Sequence, residues 1–355
     1  MTHSVLRDVR KIAVFRPNAV GDFMYCLPAL QAIKHCYPGA EVVYLGQQWH
    51  ADFLAGRPGP VDRCVVIPAL PGINAAAGAP GDVTASDDFL QGMQREHFDL
   101  ALQMYGGGRY ANPLVAQFGA RTSVGMRTPD AAPLDRCISY RALVNRRLQL
   151  LEVTALAGAR YWPMTTQLHA TSADRELAAR LIPHQAGERL VIVQPGASDA
   201  RRCWSAARFA AVADALVEEG ALVAINGSER EAEIVAAVIQ AMHHRAVNLS
   251  GRSSLKALCG LLERATLVVS NDTGPLHMAL ALDRPCVGIY WFTNLLESAP
   301  LCQDGHRAAL SMCIHCPVCG VENTASRCEH DVSFVNDVTL EEVTALSIDL
   351  FRSAC

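Results

Sequence analysis

Short apolar runs alternate with longer segments of helical period along much of the chain. Lys11–Phe15 and Leu190–Val193 are two such runs, and each is followed by a loop with proline and glycine and then by an apolar-periodic segment. This pattern is typical of the first β-α unit of a parallel sheet. The other predicted strands are Glu41–Leu45, Cys64–Ile67, Phe98–Gln103, Ser123–Gly125, Ala221–Ile225, Ala246–Leu249, Thr266–Ser270 and Pro285–Tyr290.

Helical periods lie between the predicted strands of the second half, at Trp204–Glu219, Glu229–Met242 and Ser254–Arg264. Strands that alternate with helices indicate right-handed crossovers and doubly wound sheets, so the predicted fold class is α/β. The segment from 69 to 88 is rich in Ala, Gly, Pro and Ser and has no hydrophobic period. We expect a long surface loop there.

The length of the chain favours two domains. It has 355 residues, whereas a domain usually has ~100–200. Strand periodicity is absent between about Tyr161 and Gln185. We therefore expect two Rossmann-like doubly wound domains, residues 1–170 and residues 171–355.

Composition and charge exclude several classes of protein. Half of the residues are hydrophobic and 19% are charged, which is ordinary for a globular protein, and the net charge of −4 gives no support to nucleic-acid binding. The first ten residues hold no long apolar stretch, so no secretory signal is expected. No apolar run reaches the ~18 residues of a membrane span. We expect a cytoplasmic protein, at most peripheral to the inner membrane.

The segment from Asn271 to His277 is the clearest candidate for a binding site. A predicted strand runs into Asp-Thr-Gly-Pro, and a helix is expected to follow. The backbone N–H groups of Thr273 and Gly274 would then lie at a helix start, where a pyrophosphate is favoured. Asp272 could hold a hydroxyl group, and His277 could reach a phosphate or a sugar. The alternative is that Asp272 only caps the helix and that His277 is a half-buried helix residue.

The string Asn-Asp-Thr-Gly-Pro-Leu-His-Met-Ala at residues 271–279 resembles the donor-site motif of glycosyltransferase family 9, the ADP-heptose:lipopolysaccharide heptosyltransferases. Four other elements resemble those of the family and follow in the same order. They are Arg16–Asp22 with Leu27–Leu30, Gln194–Ser198 with Arg202–Trp204, Ile225–Glu229, and Leu249–Gly251 with Ser254–Leu255.

The resemblance implies a GT-B fold, in which two Rossmann-like domains face each other across a cleft. It implies that the first domain takes the acceptor and the second the nucleotide-diphosphate sugar. The expected reaction is an inverting transfer, with ADP-heptose the favoured donor, to a hydroxyl of a lipopolysaccharide core, another glycan or a protein. No catalytic metal is obligatory. Asp22 would be the general base that removes the proton of the acceptor hydroxyl; the alternative is a helix N-cap.

The resemblance also implies which residues bind the donor. They are Ser198, Arg202, Gly227, Glu229, Asp272, Thr273, Gly274 and His277. The sequence departs from the family pattern at three points. Arg202 replaces a lysine, Ser205 replaces a proline, and the Gly227 loop is one residue shorter before its glutamate. Arginine keeps the positive charge but presents a planar fork.

Four of the thirteen cysteines form a cluster, Cys313-x2-Cys316-x2-Cys319-x8-Cys328, with His315 inside it. Clustered thiolates are typical ligands of Zn²⁺ or Fe. The four cysteines of this Cys-rich loop, residues 313–328, are candidate ligands of a structural Zn or Fe ion, and His315 is a substitute ligand. The alternative is a loop with free thiols. The branch of the family that glycosylates proteins, which the cluster resembles, holds an iron with four cysteines.

Three other functions compete with glycosyl transfer. One is a nucleotide-sugar epimerase of the same architecture, and a second is a non-catalytic nucleotide- or metal-binding module. Asp22 and its loop discriminate against the epimerase, because that element serves to activate an acceptor. The presence of both Asp22 and the Asp272–His277 element argues against the non-catalytic module. A nicotinamide dehydrogenase is disfavoured, because no Gly-x-Gly-x-x-Gly follows the first predicted strand.

Overall fold

The computed structural model of the chain describes residues 4–78, 83–163, 168–183, 185–301, 304–324 and 326–354. The chain divides into two compact units, Met1–Met164 and Thr165–Cys355. The division lies a few residues before the predicted one. Each unit contains one six-stranded sheet.

The first unit has an all-parallel sheet with the strand order β3-β2-β1-β4-β5-β6. Its strands are β1 Lys11–Phe15, β2 Glu41–Gly46, β3 Arg63–Val66, β4 Leu100–Gln103, β5 Thr122–Arg127 and β6 Arg136–Ser139. Its helices are α1 Val20–Cys36, α2 Gln48–Leu54, α3 Val83–Arg95, α4 Ala111–Ala116 and α5 Arg146–Leu156.

The second unit repeats this arrangement, with the order β12-β11-β10-β7-β8-β9 and parallel pairing throughout. Its strands are β7 Leu190–Gln194, β8 Leu222–Ile225, β9 Val247–Asn248, β10 Leu267–Asn271, β11 Cys286–Trp291 and β12 His306–Ser311. Its helices are α6 Ser172–Leu181, α7 Ala206–Glu218, α8 Ala232–Ala241, α9 Leu255–Glu263, α10 Gly274–Ala281, α11 Phe292–Ser298 and α12 Leu340–Ser353.

The central strands explain why the apolar runs predict this fold. All residues of β7 and β10 are buried, as are the last four residues of β1, because helices cover both faces of a parallel sheet. In each unit the strand order reverses beside the first strand, between β1 and β4 and between β7 and β10. Ligands of doubly wound proteins bind at this switch point, beyond the carboxyl ends of the strands. The predicted α/β class with two doubly wound units is confirmed.

The structure also contains elements that the sequence pattern did not predict. The edge strands β6 and β12 are half exposed, so that no continuous apolar run marks them. Helix α3 begins at Val83, within the segment predicted as a surface loop. It forms because Met93 is buried and Phe89 and Leu90 pack against the core of the first unit. Within the described residues, no helix is both long and apolar enough to cross a membrane.

Candidate active site

The first group of candidate residues lies at the switch point of the second unit. Ser270 of β10 pairs with Gln194 of β7, so the loops that follow these two strands start side by side. The loop after β7 carries Ser198 and Arg202, and the loop after β10 carries Asp272 and Thr273 and leads into α10 at Gly274. Topology therefore brings together two segments that lie far apart in the sequence.

The Asp272 carboxylate lies at the centre of this group and contacts side chains from several elements. Its side chain is 3% exposed, and its Oδ1 lies 2.8 Å from Nε2 of His277 and accepts a 2.9 Å hydrogen bond from the Ser298 hydroxyl. Its Oδ2 lies 3.4 Å from Nη1 of Arg202. The side chain therefore connects the loop, the first turn of α10, the end of α11 and the loop after β7.

The surroundings of Asp272 favour its ionised form. Burial alone raises the pKa of this carboxyl, but the bond from His277, the charge of Arg202 and the bond from Ser298 outweigh burial and lower the pKa below its usual value. An ionised carboxylate only accepts hydrogen bonds, so Nε2 of His277 carries a proton. His277 is itself buried, whereas the alternative drawn from the sequence was a half-buried helix residue.

Arg202 ends a 3₁₀ helix, Ala200–Arg202, in the loop after β7. Its Nη1 donates to the backbone oxygen of Asp272 at 3.4 Å, and its Nη2 donates to the Ser198 hydroxyl at 2.9 Å. The Arg202 side chain is only 22% exposed. A cation is thereby held in one position beside the start of α10.

Helix α10 begins at Gly274, with proline in its second position, and its N-cap residue Thr273 makes no side-chain capping bond. The first N–H groups of a helix have no partner within the helix, and the helix dipole adds positive potential there. The start of α10 and the Arg202 guanidinium therefore form one region suited to an anion.

Asparagine side chains form hydrogen bonds that support the start of the two loops. The Asn271 amide donates to the Pro195 carbonyl at 2.7 Å, and its Oδ1 accepts from the backbone N–H of Trp204 at 3.2 Å. Asn226, after β8, donates to Gln194 at 2.6 Å. These bonds hold the backbone of the loop that carries Arg202.

The two glutamates that follow Gly227 lie in different surroundings. Glu229, the sequence-predicted donor residue, is exposed at the start of the 3₁₀ helix Glu229–Glu231. Glu231, which was not selected from the sequence, accepts from the Ser228 backbone N–H at 2.7 Å and lies against Gly196, where a Cβ would collide with its carboxylate. Glu231 follows Gly227 with the Gly-x-x-x-Glu spacing of the family loop, which is the signal that could have identified it. The expectation that this loop is shorter before its glutamate is therefore wrong.

The second group lies at the switch point of the first unit. Asp22 is in the first turn of α1, and its Oδ1 lies 2.8 Å from Nη2 of Arg16. Arg16 is buried and also donates to the backbone oxygens of Asp22 and of Met104 after β4. The Asp22 side chain is 33% exposed. Within the described part of the chain, its second carboxylate oxygen has no hydrogen-bond partner. Arg16, which the sequence motif contained without revealing its contacts, holds the Asp22 carboxylate in place.

A third group consists of Cys316, Cys319, Cys328 and His330, whose ligand atoms lie within 4.8 Å of one another. This group differs from the predicted set, because Cys313 is not a member. Cys313 is fixed at the end of β12: its backbone N–H donates to Ser311, its carbonyl accepts from the Trp291 indole, and its thiol contacts the His315 carbonyl. The suggested substitute ligand, His315, is also outside the group, and His330 takes the fourth place.

The residues of this group fit a metal ion. Three thiols and an imidazole form a donor set typical of tetrahedral Zn²⁺. Nδ1 of His330 is buried and has no hydrogen-bond partner among the described residues. Bonds from the His330 backbone N–H and the Asn323 amide lower the pKa of Cys328 to about 6, so this thiol is largely thiolate at neutral pH.

The chain is similar to a known protein family over much of its length. Residues 88–315 match the family described as Glycosyltransferase family 9 (heptosyltransferase). The lipooligosaccharide heptosyltransferase 2 of Haemophilus influenzae is 34% identical over 311 residues, which cover 82% of this chain and 86% of that protein.

Solved structures show the same fold. A glycosyl transferase family 9 protein from Veillonella parvula has a TM-score of 0.80 at 16% identity, covering 99% of both chains. The ADP-heptose lps heptosyltransferase II of E. coli has a TM-score of 0.75 at 19% identity, covering 97% of this chain and 99% of that one. The iron-containing dodecameric glycosyltransferase TibC of enterotoxigenic E. coli has a TM-score of 0.57 at 14% identity, covering 99% of this chain and 78% of that one. These likenesses confirm the predicted GT-B fold class.

Proposed function

The chain belongs to glycosyltransferase family 9, and on this premise we propose that it transfers heptose from ADP-heptose to a hydroxyl group of a lipopolysaccharide core. The 34% identical relative is a lipooligosaccharide heptosyltransferase, and a similar structure carries ADP-heptose in its name. Family membership supports glycosyl transfer over an epimerase or a non-catalytic module. A cytoplasmic location stays a prediction.

One observation carries the proposal for the donor: Arg202, Ser198 and the start of α10 meet at the switch point of the second unit. A diphosphate there would accept hydrogen bonds from Arg202 and from the backbone N–H groups of Thr273 and Gly274. Asp272 and His277 are buried and already bonded to each other. We therefore assign them the task of holding Arg202 and the start of α10, rather than of contacting the sugar.

Asp22 is proposed as the general base. Its Oδ1 is held by Arg16, and its other carboxylate oxygen takes the proton of the acceptor hydroxyl. The hydroxyl oxygen forms a bond to the anomeric carbon while the bond from that carbon to the diphosphate breaks on the opposite face, which inverts the configuration. Arg202 and the start of α10 stabilise the negative charge that develops on the departing ADP.

We also propose that Cys316, Cys319, Cys328 and His330 bind a structural Zn or Fe ion. The iron-containing TibC supports metal binding in a protein of this fold, and the mixed thiolate and imidazole set favours Zn²⁺. When bound, the ion supplies a cross-link for a loop with little apolar content. The ion takes no part in the bonds that form and break during the transfer.

The proposal is tested by calorimetric titration of the protein with ADP, UDP, GDP and CDP, followed by transfer assays with ADP-heptose. We expect ADP to bind most tightly and a heptose-deficient lipopolysaccharide core to accept the sugar with stoichiometric release of ADP. Preference for another nucleotide would overturn the donor assignment. Transfer to a protein hydroxyl or another glycan, with none to the core, would overturn the acceptor.

A further inference from the structure

Arg201 is next to Arg202 in sequence but makes entirely different contacts. Its Nε and Nη2 donate to the Asp199 carboxylate, the latter at 2.7 Å, and its guanidinium is 13% exposed. Its Nη1 lies 3.5 Å from Oδ1 of Asn323, and its backbone oxygen accepts from the Phe334 N–H at 2.8 Å. Arg201 therefore faces the loop that carries the cysteine group, not the candidate donor site.

Two segments meet at this point. The donor loop, residues 195–204, carries Ser198 and Arg202; the cysteine loop is residues 313–324 and 326–330. Besides the contact of Arg201 with Asn323, Nη1 of Arg327 lies 4.0 Å from Oδ2 of Asp199. The Arg201 guanidinium also lies 5.5 Å from the ring centre of Trp291, whose indole donates to the Cys313 carbonyl. The two loops thus share a continuous set of polar contacts.

Asn323 connects this contact directly to a cysteine of the metal-binding group. Its side chain is 4% exposed. Its amide nitrogen donates to Sγ of Cys328 at 3.4 Å and to the Val321 carbonyl at 2.9 Å, and its Oδ1 accepts from the backbone N–H of Cys328 at 3.2 Å. The same Oδ1 faces Arg201. A change in the position of Cys328 therefore shifts an atom that contacts the donor loop.

Asp199 and Arg201 determine the local shape of the donor loop. Asp199 is the N-cap of the 3₁₀ helix Ala200–Arg202, and its Oδ1 accepts from the Arg201 backbone N–H at 3.1 Å. The helix ends at Arg202, so the direction of the Arg202 side chain depends on this cap. This ion pair is partly buried, and it keeps one geometry only while its remaining polar partners are in place.

We propose that Arg201 and Asn323 are positioning residues through which the metal-bound cysteine loop holds Arg202 in the orientation that binds the donor diphosphate. The inference rests on the proposed donor site around Arg202. It assigns the metal-binding group a task beyond stability: it keeps the donor loop in its binding conformation. Loss of the metal, or of the link, lowers nucleotide affinity although neither residue touches the nucleotide.

The test is calorimetric titration of ADP into wild-type protein, Arg201→Ala, Asn323→Ala and the double variant, each as isolated and after chelator treatment. We expect each single variant to raise the Kd of ADP about tenfold, equivalent to about 1.4 kcal/mol, and the double variant to add little. Chelation is expected to weaken ADP binding by wild type to a similar extent, but to have little further effect on Arg201→Ala. Arg180→Ala, at an exposed position of α6, serves as the matched control.

Arg202→Ala distinguishes the failure of this inference from the failure of the donor site. If Arg202→Ala weakens ADP binding while Arg201→Ala and Asn323→Ala bind like wild type, the link is refuted and the donor site stands. If Arg202→Ala also binds ADP like wild type, both proposals fail. Should Arg201→Ala not fold, Arg201→Lys is the second variant. Lysine keeps a positive charge beside Asp199 but lacks the branched guanidinium that also reaches Asn323. Arg201→Lys is therefore expected to show the same loss of ADP affinity.

Discussion

Nε2 of His277 and Oδ1 of Asp272 lie 2.8 Å apart, and both side chains are almost completely buried. The pair joins the last residues before α10 to the first turn of that helix. Because Arg202 contacts the other carboxylate oxygen, the geometry around the proposed diphosphate site depends on a negative charge that solvent does not reach.

Replacing Asp272 by asparagine is expected to destabilise the protein by about 3–5 kcal/mol at pH 7, because Arg202 and His277 lose a buried anionic partner. The folded-state pKa of Asp272 is lowered from 3.8. Its contribution is therefore fully present above that pH and is lost as the pH falls through the lower folded-state value. Urea unfolding between pH 7 and pH 2.5 should show a smaller loss of stability on acidification for Asp272→Asn than for wild type. Asp349→Asn, at an exposed position of α12, is the control; equal acid slopes for wild type and Asp272→Asn would contradict the assignment.

Replacing Asp22 by asparagine is expected to lower kcat by about 10²–10⁴-fold while leaving the Kd of ADP unchanged, because the amide cannot accept the proton. Arg16 can still bond to the amide oxygen, so the fold around α1 should persist. The measurement is transfer rate against ADP affinity, with Asp88→Asn on the exposed face of α3 as control. Transfer by Asp22→Asn at near the wild-type rate would remove this residue from the mechanism.

Replacing Gly274 by valine is expected to weaken ADP binding, because a branched side chain at the first position of α10 would crowd the diphosphate against the helix start. The control must be a glycine whose backbone tolerates valine. Gly119 does not meet this condition, because its φ of +70° is one that valine adopts poorly. Gly92→Val is suitable, because nothing lies within 4 Å of a Cβ there. Calorimetry with ADP checks the expectation, and an unchanged Kd for Gly274→Val would refute the placement of the diphosphate.

Replacing Arg202 by alanine is expected to raise the donor KM by at least about tenfold, because a charge-assisted hydrogen bond to phosphate is worth about 1.5–3 kcal/mol. Arg202→Lys should recover part of the affinity, since lysine keeps the charge but not the fork. Initial rates with varied donor and varied acceptor separate the two effects. A change confined to acceptor kinetics would place Arg202 on the other substrate.

Protein purified without a tag or chelator is expected to contain about one Zn or Fe ion per chain, bound by the cysteine group. Cys316→Ser should lose the metal and melt at lower temperature. Cys313→Ser is a matched control, because Cys313 is in the same loop but outside the group, and it should keep the metal. Elemental analysis and thermal unfolding of the three proteins decide the matter. Metal-free wild-type protein, or loss of metal from Cys313→Ser alone, would contradict the ligand set.

The sequence was most informative where local chemistry and burial agree. The apolar runs at β1, β7 and β10 are buried on both faces, and they therefore mark parallel strands without any knowledge of their neighbours. Ser254 is the N-cap of α9, and its hydroxyl accepts from the Ala257 N–H, a contact between residues only three apart in the sequence. The edge strands β6 and β12 escaped prediction because polar residues occupy much of each, Arg136 and Ser139 in β6 and His306 and Arg307 in β12.

The sequence by itself determined the family, the α/β class and the segments that carry Asp22, Arg202 and Asp272, because each of these is a property of consecutive residues. Only the tertiary structure decided which side chains meet. It paired Arg16 with Asp22, placed Glu231 rather than Glu229 against Gly196, and put His330 rather than Cys313 beside three cysteines. The reason is physical: contacts between loops that follow different strands depend on strand order and loop direction, which spacing along the chain does not encode.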